Sequence, residues 1–200
     1  MGSTAVLVED PPFDPAAWSI GFRTLGLTGV IDVVPAAKTV LIRCDSATAL
    51  AAAVARISDV SAATSGAVSG GHQDRPLVVI PVRYDGPDLE AVAELTGCTP
   101  EEVISWHSTA AYQVAFCGFA PGFGYLRGVP SQLQLPRLST PRTRVPAGSV
   151  AIASEFSAVY PSVSPGGWHL LGVTELDMFD PRREPPALLA PGTTVRFDPV

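Results

Sequence analysis

Residues 117–126, CGFAPGFGYL, hold three glycines, one proline and three aromatic side chains in ten positions. No helix tolerates this glycine density, and the interior of a strand gains nothing from it. The stretch is therefore a loop, and two interpretations of it are open. It is either a tight corner between strands of a β-barrel, or a loop whose bare backbone and phenylalanine rings line a ligand pocket.

The chain around this loop predicts a domain of short strands. Fifteen of the 20 prolines lie from Pro81 onward, and this distribution favours turns over long helices. Two helices are expected first, at 87–97 and 99–110, the second opened by a capping box. Apolar runs separated by glycine and proline follow at 112–117, 148–153, 168–174 and 193–197. This spacing predicts a closed or partly closed β-barrel rather than a doubly wound sheet.

The first 80 residues predict a smaller α+β domain. Its strands and helices alternate, at 4–9, 14–26, 29–35, 39–45, 46–58 and, after a low-complexity linker, 76–84. The order β-α-β-β-α-β is that of a ferredoxin-like fold, although the last strand could instead belong to the following domain. The predicted fold class is α+β, with domains at residues 1–80 and 81–200.

The composition excludes several classes of protein. A hydrophobic share of 46% with 16% charged residues is typical of a globular chain. The net charge of −6 argues against a nucleic-acid partner, because phosphate binding requires a basic surface. No signal peptide and no run of about 18 apolar residues is apparent, so we expect no membrane association. The odd number of widely spaced cysteines favours a reduced, cytoplasmic compartment.

Helix 99–110 presents two candidate catalytic residues, Glu102 and His107. Five positions separate them, about 140° around a helix, so they are not strict neighbours. Glu102 is expected to close the capping box, and His107 to be a partly buried histidine near the helix end. The alternative is that His107 faces the glycine loop as a proton carrier.

The segment 135–152 holds Arg137, Arg142 and Arg144 among prolines. Arginines on stiff loops suit the planar recognition of a carboxylate, although a solvated charged loop is the other interpretation. No P-loop motif is present, and the only lysine of the chain is Lys38, so no Walker-type ATP site is expected in this chain.

Residues 160–172, YPSVSPGGWHLLG, place a Pro-Gly-Gly turn before Trp168 and His169. The segment is either part of a site or a hairpin with a core tryptophan. The three histidines, at 72, 107 and 169, lie far apart and beside no cysteine pair, so no metal site is predicted.

Four ordered motifs together resemble one known family. They are EEVISWHSTAAYQVAFCGFAPGFGYLRGVP (101–130), PRLSTPRTRVPAGSVAIA (136–153), YPSVSPGGWHLLGVT (160–174) and PGTTVRF (191–197). The family is the B subunit of bacterial 5-oxoprolinase, also known as allophanate hydrolase subunit 1 and including the sporulation kinase inhibitor KipI. The resemblance covers nearly the whole chain and is strong from about Ile80 onward.

The resemblance implies a fold, an activity and partners. The fold is a small ferredoxin-like N-terminal domain followed by a cyclophilin-like β-barrel. The activity is ATP-dependent opening of 5-oxoproline to glutamate, or allophanate hydrolysis, in which water attacks a phosphorylated carbonyl. ATP is thus expected in the complex. The implied partners are a second barrel subunit, a third subunit of the same complex, and a small amide or lactam substrate.

The resemblance also implies a set of site residues. The catalytic residues would be Glu102, His107 and Arg142. The substrate-binding residues would come from the glycine loop, the arginine-containing segment and the Pro-Gly-Gly turn: Gly118, Phe119, Pro121, Gly122, Phe123, Tyr125, Arg137, Pro146, Gly148, Ser149, Gly166, Gly167 and Trp168.

The chain departs from the family pattern at several positions, among them Ser154 and Ala158 in place of glycines, and two of the departures replace a polar residue. Phe156 stands where relatives usually have glutamine, and Val173 where they have arginine. Loss of two polar groups from the expected pocket favours a changed substrate or reduced activity. Two alternatives to an enzyme subunit therefore stay open, a KipI-like inhibitor of a sensor histidine kinase and a non-catalytic scaffold subunit.

Overall fold

The structure is a computed structural model that describes residues 2–60 and 77–200. It divides into two compact units, Met1–Asp74 and Arg75–Val200. The linker predicted at 61–75, which includes His72, lies outside the described residues.

The first unit is a three-stranded antiparallel sheet with two helices packed on it. Its elements are β1 (Ala5–Glu9), α1 (Pro15–Arg23), β2 (Val30–Pro35), β3 (Thr39–Cys44) and α2 (Ala47–Ala55), and the strand order is β1-β3-β2. Helix α1 begins where expected, because the Asp14 carboxylate accepts the Ala17 N–H at 3.0 Å and Pro15 follows the cap. Trp18 and Ile42 are fully enclosed between the helices and the sheet.

The second unit is built around one seven-stranded sheet. Its helices are α3 (Leu89–Thr96) and α4 (Pro100–Thr109). Its strands are β4 (Leu77–Val82), β5 (Tyr112–Cys117), β6 (Gly124–Arg127), β7 (Arg142–Val145), β8 (Ser149–Ala153), β9 (Phe156–Val159), β10 (Ser164–Gly166), β11 (His169–Val173) and β12 (Thr194–Pro199). The large sheet has the order β11-β8-β9-β6-β5-β12-β4, and β7 pairs separately with β10.

A backbone bridge nearly closes the seven-stranded sheet into a barrel. Arg83 and Val173 exchange two N–H to carbonyl hydrogen bonds of 2.9 Å, which join the end of β4 to the end of β11. Gly172 permits this approach, since a Cβ there would lie 2.4 Å from the Arg83 carbonyl oxygen. The predicted α+β class with a partly closed barrel is confirmed.

The strand predicted at 76–84 belongs to this barrel. β4 pairs in parallel with β12 along its length, from Leu77 beside Thr194 to Val82 beside Pro199. It therefore does not complete the N-terminal sheet, which has three strands in the described residues. The sequence left both placements open because an apolar, β-branched run fits either sheet.

Two apolar clusters fill the second unit. The larger one includes Val103, Leu126 and Phe197, and it packs the two helices against the barrel strands. The smaller one is rich in aromatic rings and includes Phe123 and Trp168. The barrel thus has a main core and a second, aromatic layer in which a pocket lies.

The backbone bridge between Arg83 and Val173 predicts that a side chain at residue 172 destabilises the fold. Gly172→Ala should lower the free energy of unfolding by about 1–3 kcal/mol, because the new methyl group would overlap the Arg83 carbonyl. Gly118→Ala is the matched control, since its Cβ would meet only the Tyr125 ring at 3.8 Å. Urea denaturation measures both, and equal stability of the two variants would contradict this mode of closure.

Candidate functional site

The stretch at 117–126 forms the hairpin that joins β5 to β6. Cys117 pairs with Gly124, and the Gly118 N–H donates to the Phe123 carbonyl at 3.2 Å. The Ala120 N–H donates to the Gly118 carbonyl at 2.8 Å across Phe119, whose φ is +69°. This is the rare γ-turn with a positive central φ, a strained conformation for a residue other than glycine.

A pocket of about 80 Å³ lies beside this hairpin. Its lining comes from the hairpin, from Arg137, and from the end of the chain segment that precedes β11: Phe119, Phe123, Tyr125, Arg137, Tyr160, Pro165, Gly166, Gly167 and Trp168. Seven of these are residues that the sequence predicted for substrate binding. The structure therefore brings three distant motifs to one place, which their order in the sequence could not show.

Phe123 is the centre of the aromatic wall. Its ring makes edge-to-face contacts with Tyr125, Tyr160 and Trp168, at centroid distances of 5.0, 5.3 and 5.6 Å. Such pairs are favoured by the ring quadrupole. Phe119 contacts Phe123 at 5.1 Å, but 59% of Phe119 is exposed. Phe119 therefore stands at the mouth of the pocket and Phe123 at its base.

Arg137 supplies the positive charge of the pocket. Its guanidinium carbon lies 5.8 Å from the centroid of the Trp168 ring, a cation–π arrangement. Burial raises the pKa values of Tyr125 and Tyr160, and the charge of Arg137 opposes that shift at both hydroxyls. The pocket thus combines a cation, phenolic hydroxyls and bare glycine backbone within aromatic walls.

Tyr160 was missed as a site residue, and several predicted residues support it. The Gly148 N–H donates to the Tyr160 carbonyl at 2.8 Å, and the Tyr160 N–H donates to the Ser149 carbonyl at 2.9 Å. Gly166 leaves space for the phenol, since a Cβ there would lie 2.3 Å from the Tyr160 hydroxyl oxygen. The predicted turn from Pro146 to Ser149 therefore holds a pocket residue and does not line the cavity itself.

The structure places His107 in the barrel core and not against the glycine loop. The side chain is fully buried, and its ring stacks on Phe197 at a centroid distance of 4.5 Å. Its Nδ1 lies 2.7 Å from the Tyr84 hydroxyl, and its Nε2 lies 3.0 Å from Ser157 Oγ. Of the two interpretations, the structure supports a buried histidine near the helix end over one that faces the glycine loop, because the apolar face of α4 turns into the core.

The hydrogen-bond pattern defines the His107 tautomer. Ser157 donates its one hydroxyl proton to the Ala151 carbonyl at 3.1 Å, so it must accept from His107 Nε2. Nδ1 is then the acceptor for the Tyr84 hydroxyl. Burial lowers the pKa of His107 to about 3, so the ring is neutral. The chain of donors links α4 to β9 and to the segment after β4.

Glu102 and Arg142 also make structural contacts. Glu102 completes the predicted capping box, with its carboxylate accepting the Thr99 N–H at 2.8 Å. Arg142 donates to the buried Asp88 carboxylate at 2.5 Å, and the second Asp88 oxygen accepts the Leu170 N–H at 2.7 Å. Asp88 was missed by the sequence reasoning, because an acidic residue before a helix indicates only an N-cap.

The two departures that replace a polar residue lie in different places. Phe156 packs edge-on against Phe116 and Tyr125, at centroid distances of 5.6 and 5.7 Å, so it stands behind the pocket wall. Val173 lies in the bridge that closes the barrel. Only the change at Phe156 therefore adjoins the pocket.

A metal site or a membrane-spanning helix would each indicate a particular class of protein. Within residues 2–60 and 77–200, no group of three or more histidine, cysteine or acidic side chains is arranged to hold a metal ion. In the same part of the chain, no helix combines the length and apolar character needed to cross a membrane.

The fold and the pocket together define a β-barrel domain with a small aromatic pocket, preceded in the chain by an α+β unit. The family model of the carboxyltransferase domain, subdomain C and D, matches residues 13–189. The chain is 39% identical over 211 residues to the 5-oxoprolinase B subunit of Escherichia coli O157:H7, which covers 100% of this chain and 94% of that protein. It is 48% identical over 127 residues to the 5-oxoprolinase B subunit of Bacillus subtilis (strain 168), covering 62% and 53% respectively. The chain belongs to the family of 5-oxoprolinase B subunits.

Two solved structures share the fold of this chain. The crystal structure of TTHA0988 matches with a TM-score of 0.80 at 33% identity, over 98% of this chain and 40% of that one. The Kluyveromyces lactis urea amidolyase matches with a TM-score of 0.70 at 19% identity, over 98% of this chain and 14% of that one. The second likeness shows the shared fold alone.

The buried His107 predicts a particular dependence of stability on pH. Its pKa is about 3 in the folded state against an ordinary value of 6.5. Below pH 6.5 the unfolded chain binds a proton that the folded chain does not, so stability falls with acidification by up to about 1.4 kcal/mol per pH unit. His107→Gln should flatten this slope, because the amide keeps a donor and an acceptor and does not titrate. Urea unfolding of the wild-type protein and of His107→Gln at several pH values below 6.5 measures the difference. Equal slopes of the free energy of unfolding against pH would contradict the prediction.

The positive φ of Phe119 predicts that glycine at this position gives a more stable protein than alanine does. Phe119→Gly should be more stable than Phe119→Ala by about 1 kcal/mol, because only glycine adopts a positive φ without strain. The matched control is Ala120→Gly, where φ lies outside that region and glycine should destabilise by about 0.5–1 kcal/mol. Thermal unfolding measures all three variants. A Phe119→Ala protein more stable than Phe119→Gly would show that residue 119 does not hold a positive φ.

Proposed function

We propose that this chain is a subunit of an ATP-dependent amidase complex that opens 5-oxoproline to glutamate or hydrolyses allophanate, and that the aromatic pocket binds the substrate. The principal support is the convergence of three sequence motifs on one pocket in a member of this family. The curated relatives are named as subunits of 5-oxoprolinase. Their names support a complex, for which we propose a second barrel subunit together with a third, different subunit.

The lining of the pocket fits a small carboxylic acid. Arg137 can pair with the carboxylate of 5-oxoproline, since a guanidinium presents paired donors to a carboxylate. The Tyr125 and Tyr160 hydroxyls offer hydrogen bonds to a lactam or amide edge, and the Phe123 and Trp168 rings can enclose the body of the ligand. The volume of about 80 Å³ restricts the pocket to a small ligand, because drug-sized molecules occupy sites of roughly 300–1,000 Å³.

The pocket does not fit ATP. It is too small for a nucleotide, and its lining in the described chain contains one cation and no carboxylate that could hold Mg²⁺. We therefore assign ATP to the complex and not to this pocket. The chain alone is expected to be inactive, and its contribution is to bind the substrate, orient it and exclude water.

The catalytic roles of Glu102, His107 and Arg142 stay predictions. None of the three lines the pocket, and each makes structural contacts instead. A neutral, enclosed His107 cannot take a proton from water near pH 7 without opening the core. We expect the general base to come from another member of the complex.

The test is turnover by the reconstituted complex. The chain is co-expressed with the second barrel subunit and the third subunit, and ADP release is measured with 5-oxoproline and with allophanate. Absence of release with both substrates from an assembled complex would overturn the proposal. Inhibition of histidine kinase autophosphorylation by the chain, without turnover, would instead favour the KipI-like alternative.

The pocket is tested by removing its cation. Arg137→Met should raise KM for the acid at least about tenfold, because a charged hydrogen-bonded pair is lost. Arg144→Met, which alters an exposed arginine of β7, is the matched control and should leave KM unchanged. An unchanged KM in Arg137→Met would show that the substrate binds elsewhere.

A further inference from the structure

The loop that carries Arg137 is hydrogen-bonded on both sides to the segment that carries Trp168. His169 Nε2 lies 2.9 Å from the Pro136 carbonyl oxygen, and the Leu138 N–H donates to the Gly167 carbonyl at 2.8 Å. The two residues that flank Arg137 are thus joined to the two that flank Trp168. Arg137 is held directly opposite Trp168, with its guanidinium over the indole ring.

The His169 side chain makes one of these two contacts. A carbonyl oxygen can only accept, so Nε2 is the protonated nitrogen and donates to Pro136. The ring is 4% exposed, and its Nδ1 has no hydrogen-bond partner among the described residues. The bond to Pro136 is therefore the polar contact that this buried ring makes.

The position of that bond bears directly on Arg137. The Pro136 carbonyl belongs to the planar peptide unit that ends at the Arg137 Cα, so fixing the oxygen fixes the plane from which the Arg137 side chain departs. The proline has no N–H with which to anchor itself in another way. Loss of the bond would leave the Leu138–Gly167 contact in place but would remove the direct anchor of the peptide plane that precedes Arg137.

We infer that His169 is a positioning residue for Arg137. By holding the Pro136–Arg137 peptide plane, it keeps the guanidinium over Trp168, where the pocket requires its cation. The effect on the reaction rests on the function proposed above, whereas the effect on the placement of Arg137 does not.

The placement is tested by NMR on the full chain. The Arg137 Nε–H resonance is identified by its loss in Arg137→Met, and its ring-current shift is defined by comparison with Trp168→Leu. His169→Phe keeps a ring but removes the donor, and it should move the resonance toward its position in Trp168→Leu. His169→Gln retains an N–H of similar reach and should keep the wild-type shift. A wild-type shift in His169→Phe would overturn the inference.

The wild-type protein offers a check that needs no substitution. Long-range ¹H–¹⁵N correlation of the His169 ring should show the Nε2-protonated tautomer. An Nδ1-protonated ring would remove the proposed bond and overturn the inference.

The consequence for the reaction is tested in the complex. His169→Phe should raise KM for 5-oxoproline about tenfold with kcat nearly unchanged, and His169→Gln should restore KM. In an Arg137→Met background, His169→Phe should have no further effect on KM, because residues acting through one contact are not additive. Equal losses in both backgrounds would show a merely structural role. If the wild-type complex shows no turnover, the proposed function fails, and the NMR shifts still decide whether His169 positions Arg137.

Discussion

The backbone bridge between Arg83 and Val173 is the constraint on which the second unit depends. It turns a seven-stranded sheet with two free edges into a nearly closed barrel. Strand β11 contributes one half of the bridge. His169 begins the same strand at its other end, and Trp168 directly precedes it. Closure of the barrel therefore also fixes the side of the pocket on which the cation–π pair lies. The bridge requires glycine at 172, since any side chain there would meet the opposing backbone.

Buried polar contacts give the barrel its specific arrangement. His107, Tyr84 and Ser157 form a directed chain of hydrogen bonds inside an apolar core, so each group keeps a partner despite its burial. Asp88 uses both carboxylate oxygens, one for Arg142 and one for the backbone of β11. These contacts hold the strands that support the pocket, while the pocket itself keeps its cation and hydroxyls facing a cavity. The polar groups that stabilise the fold are thus different from the polar groups that face the pocket.

Local features of the sequence were predictable, and the short strands were not. Asp14, Ser46 and Thr99 cap their helices, and all three are residue types that favour this position, because a cap depends on residues three positions apart. Strands β6, β7, β9 and β10 were missed, since each has only three or four residues and contains glycine, arginine or serine. Their pairing depends on contacts with other strands and not on their own residues. A period of two cannot be recognised over so few positions.

For the candidate site, the sequence by itself determined which motifs are candidates, and the tertiary structure decided which of them meet at one pocket. The glycine loop, Arg137 and the Pro-Gly-Gly-Trp turn were candidates by residue type, because glycine, arginine and aromatic residues have distinctive chemistry wherever they lie, and the family resemblance then favoured them as site residues. Whether a polar residue faces a cavity or the core depends on how helices and strands pack over long distances. For that reason only the structure could place His107 in the core, make Arg142 a partner of Asp88, and add Tyr160 and His169 to the pocket and its support.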